Sequence, residues 1–92
     1  MRNPDMIRMS FANELYTMNY QDYIEIVHGK RSGKPCLKGT RITVYDVLSW
    51  LANNMSHEEI MDDFPSVKDI HIQACLAYAA SREQHLQSAY VA

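Results

Sequence analysis

Five basic residues lie close together in this chain, and their chemistry is the clearest in the sequence. They fall between positions 30 and 41 with no acidic residue among them: Lys30, Arg31, Lys34, Lys38 and Arg41. Gly33, Pro35 and Gly39 shape the backbone between these cations, a composition typical of tight turns. Ammonium and guanidinium groups bind carboxylates and phosphates, whereas bond-making chemistry would need a nucleophile or paired carboxylates beside them. The stretch predicts a shaped basic hairpin that grips an anion or an acidic partner.

Three catalytic or ligand-binding alternatives fit the sequence less well. Gly29, Gly33 and Lys34 resemble a phosphate-binding P-loop, but the spacing is one residue short and Pro35 replaces the metal-binding Ser or Thr. His71 and Cys75 have the spacing of a metal-ligand pair on a helix, but no second pair accompanies them, so a packed Cys75 and a solvated His71 are expected. The other histidines show no triad arrangement. The sequence therefore predicts a non-enzymatic protein without metal or cofactor.

Length and composition indicate one small cytoplasmic domain. The 92 residues are 47% apolar with only 3 Gly and 3 Pro, which favours an ordered domain whose thin core gains from oligomerisation or a partner. No signal peptide or membrane-spanning segment is evident, so no membrane partner is expected. Cys36 and Cys75 are too few for a disulfide framework and are expected to be buried apolar residues.

Charge is distributed unevenly along the chain. The formal net charge is −2, and after the basic stretch the sequence turns acidic, with only Lys68 among Asp46, Glu58, Glu59, Asp62, Asp63 and Asp69. A basic hairpin thus precedes acidic helices. Any nucleic acid would have to be held mainly by the hairpin.

The hairpin is predicted from β-branched and aromatic residues around a turn. A strand is expected over Tyr23–His28, followed by a turn over Gly29–Gly33 and a returning strand over Cys36–Lys38. Gly39-Thr40 supplies a further turn.

Three helices are predicted after the hairpin. Thr43 with Asp46 caps the first, which buries Val44, Val47, Leu48 and Leu51 and ends at Asn53-Asn54. Ser56 with Glu59 caps the second, which Pro65 ends. Ser66 with Asp69 starts the third, whose buried stripe is expected to contain Ile72, Cys75, Leu76 and Ala79 and which ends near Arg82 or somewhat later. Four aromatic residues are expected to be packing residues: Tyr45, Trp50, Phe64 and Tyr78.

The fold class is therefore mainly α, with an N-terminal β-hairpin followed by a three-helix, homeodomain-like helix-turn-helix core. The predicted division is an N-terminal arm over residues 1–19, the helix-turn-helix domain over 20–84 and a C-terminal tail over 85–92.

Several motifs in order resemble the domain of unknown function 433 family. They are Ile24-Glu25-Ile26, the run from Gly33 to Ile42, Tyr45-Asp46-Val47-Leu48, Met55-Ser56 with Glu58-Glu59-Ile60, Asp63-Phe64-Pro65, and Ala77-Tyr78-Ala79-Ala80. The resemblance implies a prokaryotic antitoxin of a type II toxin–antitoxin pair, with a helix-turn-helix core and a PIN-like nuclease toxin as partner. The hairpin tip before Gly33 is more basic than the family pattern, and Ile70 replaces an acidic residue.

These observations lead to two functional hypotheses. In the first, Lys34, Lys38 and Arg41 bind the carboxylates of the toxin, with homodimerisation and autoregulatory DNA binding as companion activities. In the second, the chain is a stand-alone DNA-binding transcriptional regulator. The residues expected to contact DNA in either case are Lys30, Arg31, Lys68, His71 and Gln73. The acidity of the second helix weakens the DNA hypothesis, because carboxylates repel phosphates.

Overall fold

A computed structural model describes residues 18–91, with side chains through residue 84. Two short strands, β1 (Ile24–Glu25) and β2 (Cys36–Leu37), precede three helices, α1 (Val44–Ala52), α2 (His57–Asp63) and α3 (Asp69–Val91). Single 3-10 turns at Tyr20–Asp22 and Arg31–Gly33 precede each strand. The predicted mainly helical fold with an N-terminal antiparallel hairpin is confirmed, while most of the expected N-terminal arm lies outside the described residues.

The first strand is shorter than predicted. Ile24 pairs with Leu37 and Glu25 with Cys36, and the ladder then stops. The next pair in this register would join Ile26 to Pro35, but the Pro35 backbone faces away from β1, and its carbonyl accepts the Val44 N–H at 2.9 Å. The chain turns instead, with the Lys30 N–H bonded to the Val27 carbonyl at 3.0 Å. The expected strand over Tyr23–His28 was therefore wrong beyond Glu25.

A second reversal follows β2 and leads into α1. The Leu37 N–H donates to the Ile42 carbonyl at 2.9 Å, and Cys36 forms an isolated bridge with Thr43. Gly39 lies within this turn at φ +75°, a conformation that L side chains rarely adopt. The turn over residues 38–41 thus joins β2 directly to the first cap.

The caps of α1 and α2 are confirmed. The Thr43 hydroxyl accepts from the Asp46 N–H at 2.9 Å while the Asp46 carboxylate accepts from the Thr43 N–H at 3.0 Å. Ser56 and Glu59 make the same reciprocal pair at the start of α2. Each box satisfies helix N–H groups that have no partner within the helix, so both starts are locally encoded.

The start and the buried face of α3 differ from the prediction. Ser66 makes no cap; instead the Lys68 N–H donates to Nδ1 of His71 at 2.9 Å, so the imidazole takes the place of the carboxylate of a capping box. Leu76, expected in the core, is 40% exposed, whereas Ala74 and Ala77 are buried. Tyr23 packs on His71, and Tyr20 packs on Tyr78. These contacts rotate α3 about its axis, relative to the prediction, so that the face bearing His71 and Tyr78 lies toward the rest of the domain.

The core lies between α3, the two shorter helices and the hairpin. Its largest fully buried side chains are those of Leu37, Ile60, Ile72, Val47, Val67, Thr43, Cys36 and Cys75. Both cysteines are unpaired and buried, as predicted. The backbone of α3 continues as a helix to Val91, through the segment expected to be a tail. None of the helices in the described part of the chain is long and apolar enough to cross a bilayer.

Candidate functional site: a basic hairpin tied to the first helix

The candidate site comprises residues 30–41, here called the basic hairpin, together with the first turn of α1. Its backbone is fixed by the β1–β2 pairing and by the Val44 N–H, which donates to the Pro35 carbonyl at 2.9 Å. The five cations of the hairpin are not equivalent. Two of them are bound by the chain's own carboxylates, and three are exposed.

Glu25 binds the first of the paired cations. Its Oε2 atom lies 2.6 Å from Nζ of Lys30 and accepts the Gly39 N–H at 3.1 Å. The hydrogen bond from Lys30, followed by that from Gly39, lowers the pKa of Glu25 from its ordinary value, with Lys38 adding a smaller attraction. One carboxylate therefore joins the two turns of the hairpin.

Asp46 binds the second paired cation. Its Oδ2 atom lies 3.2 Å from Nη1 of Arg31, and the same nitrogen donates to the Arg41 carbonyl at 2.7 Å. Burial is the largest single influence on Asp46 and raises its pKa, but hydrogen bonds with Thr43 and the charge of Arg31 together outweigh it. The pKa of Asp46 therefore lies below its usual value, and the group is charged at neutral pH.

The backbone beside these pairs adopts a costly conformation. Arg31 and Ser32 have φ of +48° and +59°, in the left-handed region that residues with a Cβ avoid. Each such residue costs on the order of 1 kcal/mol. The Lys30–Glu25 and Arg31–Asp46 pairs lie at this turn and help to offset that cost.

Lys34, Lys38 and Arg41 are the remaining cations of the hairpin. All three are exposed, and within residues 18–84 no carboxylate forms an ion pair with any of them. The sequence treated the five cations as one uninterrupted basic stretch. The structure divides them into two paired and three exposed cations, because Glu25 and Asp46 come close to Lys30 and Arg31 only when the chain folds.

Tyr45 was expected to pack and does not. It is 73% exposed, on the first turn of α1. The other predicted packing aromatics do pack: Trp50 stacks on Phe64 with ring centroids 4.0 Å apart, and Tyr78 meets Tyr20 edge to face at 5.5 Å. The sequence did contain a signal for Tyr45, since it is out of phase with the apolar stripe of Val44 and Val47.

The residues predicted to contact DNA from α3 lie in differing environments. Lys68 and Gln73 are exposed at the start of the helix. His71 is half-buried rather than solvated: its ring meets Tyr23 edge to face at 5.8 Å, and its Nδ1 atom accepts the Lys68 N–H. Burial and then the nearby charge of Lys68 lower the pKa of His71, so the neutral ring acts as a structural cap.

The surroundings of α3 are acidic. Four carboxylates are exposed on α2, which leads into α3: Glu58, Glu59, Asp62 and Asp63. Asp69, in the first turn of α3, lies 3.0 Å from Nδ1 of His57. These charges oppose the approach of phosphates to this end of the molecule.

No metal site is formed by the described residues. No group of three or more His, Cys, Asp or Glu side chains among them could hold a metal ion. Cys75, the proposed partner of His71 in the alternative considered above, is fully buried, and burial raises its pKa to about 12. A thiolate, the form that binds metals, is strongly disfavoured there.

The comparisons with known proteins are consistent with this architecture. The family model described as "Protein of unknown function (DUF433)" matches residues 24–79, from the first residue of β1 into α3. The chain belongs to the DUF433 family. The match includes the whole basic hairpin and Tyr45, so both lie within the region that defines DUF433.

A solved DUF433 structure has a similar fold. The chain is similar to the crystal structure of a DUF433 member protein from Anabaena variabilis, with a TM-score of 0.64 and 14% sequence identity. The similarity covers 99% of this chain and 87% of the other. At that identity the likeness establishes the DUF433 fold alone. A comparison with curated proteins finds no match.

Proposed function

We propose that this DUF433 chain is the antitoxin of a prokaryotic type II toxin–antitoxin pair and that it neutralises a PIN-like nuclease toxin by direct binding. The proposal combines the family resemblance with one observation. Lys34, Lys38 and Arg41 are exposed on the basic hairpin and have no carboxylate partner in the described part of the chain.

The charge of these cations suits the active site of such a nuclease. A PIN-like enzyme concentrates carboxylates to hold its metal ions, and a guanidinium binds a carboxylate through two parallel hydrogen bonds. Arg41 inserted among those carboxylates would compete with the metal, and Lys38 would add a second positive charge. The hairpin is held in shape by Glu25 and Asp46, so little ordering entropy opposes the contact.

Autoregulatory DNA binding by a homodimer is the companion activity in this proposal. The short connection between α2 and α3 would serve as the turn of a helix-turn-helix, with Lys68 and Gln73 presented by α3. The exposed carboxylates of α2 oppose this contact. The ion pairs that Lys30 and Arg31 form with Glu25 and Asp46 also reduce the positive charge that the hairpin can offer to phosphates. For this reason nuclease binding is the primary activity and DNA binding the secondary one.

The experiment is co-expression with a PIN-like nuclease encoded beside this chain, followed by a nuclease assay. We expect Lys38→Ala/Arg41→Ala to weaken inhibition by about 30-fold or more, because charge pairs buried at an interface are costly to truncate. Arg82→Ala, which removes an exposed cation from α3, is the matched control and should inhibit as the wild type does.

Two results would contradict the proposal. The first is undiminished inhibition by the double variant. The second is the absence of nuclease binding together with specific retention of upstream DNA that falls steeply as salt rises, which would favour the stand-alone regulator.

A further inference from the structure

Tyr45 is connected through its neighbours in sequence to the loops that carry Lys34 and Arg41. The two residues that flank Tyr45 are both bonded to the basic hairpin: the Val44 N–H donates to the Pro35 carbonyl, and Asp46 pairs with Arg31. Arg31 in turn holds the Arg41 carbonyl. The backbone of Tyr45 is therefore tied on both sides to the loops that carry Lys34 and Arg41.

The exposure of Tyr45 leaves its ring available for contact with a partner. With 73% of its surface in water, this side chain contributes little to the core. Tyrosine and arginine are the residue types that, with tryptophan, carry most of the binding energy at protein interfaces. A tyrosine also has few torsions to freeze, and here it stands on a helix turn that Thr43 and Asp46 cap.

We propose that Tyr45 is the central anchor of the surface that binds the nuclease, with Arg41 on its charged rim; this inference rests on the proposed function. The ring would enter an apolar socket on the partner, and carboxylates around that socket would pair with the rim. The occupant is thus an acidic protein surface, which follows from charge complementarity with the exposed cations of the hairpin.

A nucleic acid would also suit a tyrosine among cations, because bases stack on aromatic rings. The observations favour a protein. Asp46, the residue after Tyr45, pairs with Arg31, and Glu25 pairs with Lys30; both carboxylates are charged, and their pKa values are lowered rather than raised. A nucleic-acid backbone carries closely spaced phosphates, some of which would have to approach these carboxylates. A protein partner can instead place its carboxylates opposite the exposed cations and its apolar socket opposite Tyr45.

The test measures dissociation constants of the full chain against the PIN-like nucleases encoded in its genome, with a single-stranded oligothymidylate as the nucleic-acid probe. We expect Tyr45→Ala to weaken nuclease binding by about 30-fold or more, and Tyr45→Phe by only about threefold, because the ring supplies most of the contact. Leu76→Ala removes an apolar side chain that is 40% exposed on α3 and serves as the control, with unchanged binding. Thermal unfolding should be unaffected in the two Tyr45 variants.

The outcomes separate the two proposals. If Lys38→Ala/Arg41→Ala loses nuclease binding while Tyr45→Ala keeps it, the role of Tyr45 is overturned and the proposed function stands. If no nuclease binds the wild type, both are overturned. Binding of the oligothymidylate that depends on Tyr45, without nuclease binding, would replace the protein partner by a nucleic acid.

Discussion

The guanidinium of Arg31 lies 3.2 Å from the carboxylate of Asp46, and this pair connects the strained turn of the basic hairpin to the first turn of α1. Asp46 also completes the capping box with Thr43. A single carboxylate thus serves two elements: it stabilises a helix start and fixes the loop that presents Arg41. Stability and presentation of the binding surface are therefore coupled.

Replacing Asp46 should reveal this double role. We expect Asp46→Ala to lower the free energy of unfolding by about 1–2 kcal/mol, since it removes a helix cap together with a partly exposed ion pair. Arg31→Ala should cost less than about 1 kcal/mol, and the double variant should give a coupling energy of about 0.2–1 kcal/mol. Urea denaturation measures all three. Asp62→Ala, at an exposed position of α2, is the control, and an equal loss there would refute the assignment.

The capping role of His71 makes stability depend on pH. The pKa of His71 lies below its ordinary value of 6.5, so the unfolded chain binds this proton more readily than the folded one. The contribution of the neutral ring is complete above about pH 6.5 and is lost as pH falls through that value towards the folded-state pKa. Thermal unfolding followed over this range measures the loss.

A glutamine variant isolates this effect from the other histidines. Glutamine is a natural residue at the third helical position of a capping box and does not titrate, so His71→Gln should retain the cap and flatten the pH dependence between neutral and mildly acidic pH. NMR should place the proton of the wild-type ring on Nε2, because Nδ1 accepts the Lys68 N–H. A ring with its proton on Nδ1 would rule out the cap.

The stack of Trp50 on Phe64 should stabilise the contact between the end of α1 and the end of α2. Phe64→Leu keeps an apolar side chain but removes the ring pair, whose centroids lie 4.0 Å apart. An aromatic pair is worth about 0.5–1.5 kcal/mol beyond its burial, and we expect a destabilisation of at least that size. Urea unfolding measures it, and the fluorescence of Trp50, the single tryptophan, should change in the folded state. Met61→Leu, a volume-conserving change on α2, should alter neither quantity appreciably.

Both cysteines should resist thiol reagents in the folded protein. Cys36 and Cys75 have no exposed surface, and the pKa of Cys75 is raised to about 12, so almost no thiolate is present at neutral pH. We expect labelling to follow global unfolding in urea. Gln73→Cys places a thiol at an exposed position of α3 and should react rapidly under the same conditions. Fast labelling of the wild type in buffer would show that the core opens locally.

Local signals in the sequence were sufficient for the boundaries of α1 and α2. The boxes of Thr43 with Asp46 and of Ser56 with Glu59 act within one helical turn, so they operate wherever the rest of the chain lies. The end of β1 was less evident, because the ladder stops where the Lys30 N–H bonds to the Val27 carbonyl and the Pro35 carbonyl bonds to the Val44 N–H. The face that α3 buries was not predictable in the same way, because Tyr20 and Tyr23 determine it from outside the helix.

The sequence by itself determined the family, the helical core with its N-terminal hairpin, and the concentration of cations between residues 30 and 41. Only the tertiary structure decided which cations are available, since Glu25 reaches Lys30 and Asp46 reaches Arg31 once the two turns fold together. The physical reason is that capping and turn formation depend on neighbours in sequence, whereas ion pairing and burial depend on distances in space that only the assembled fold sets.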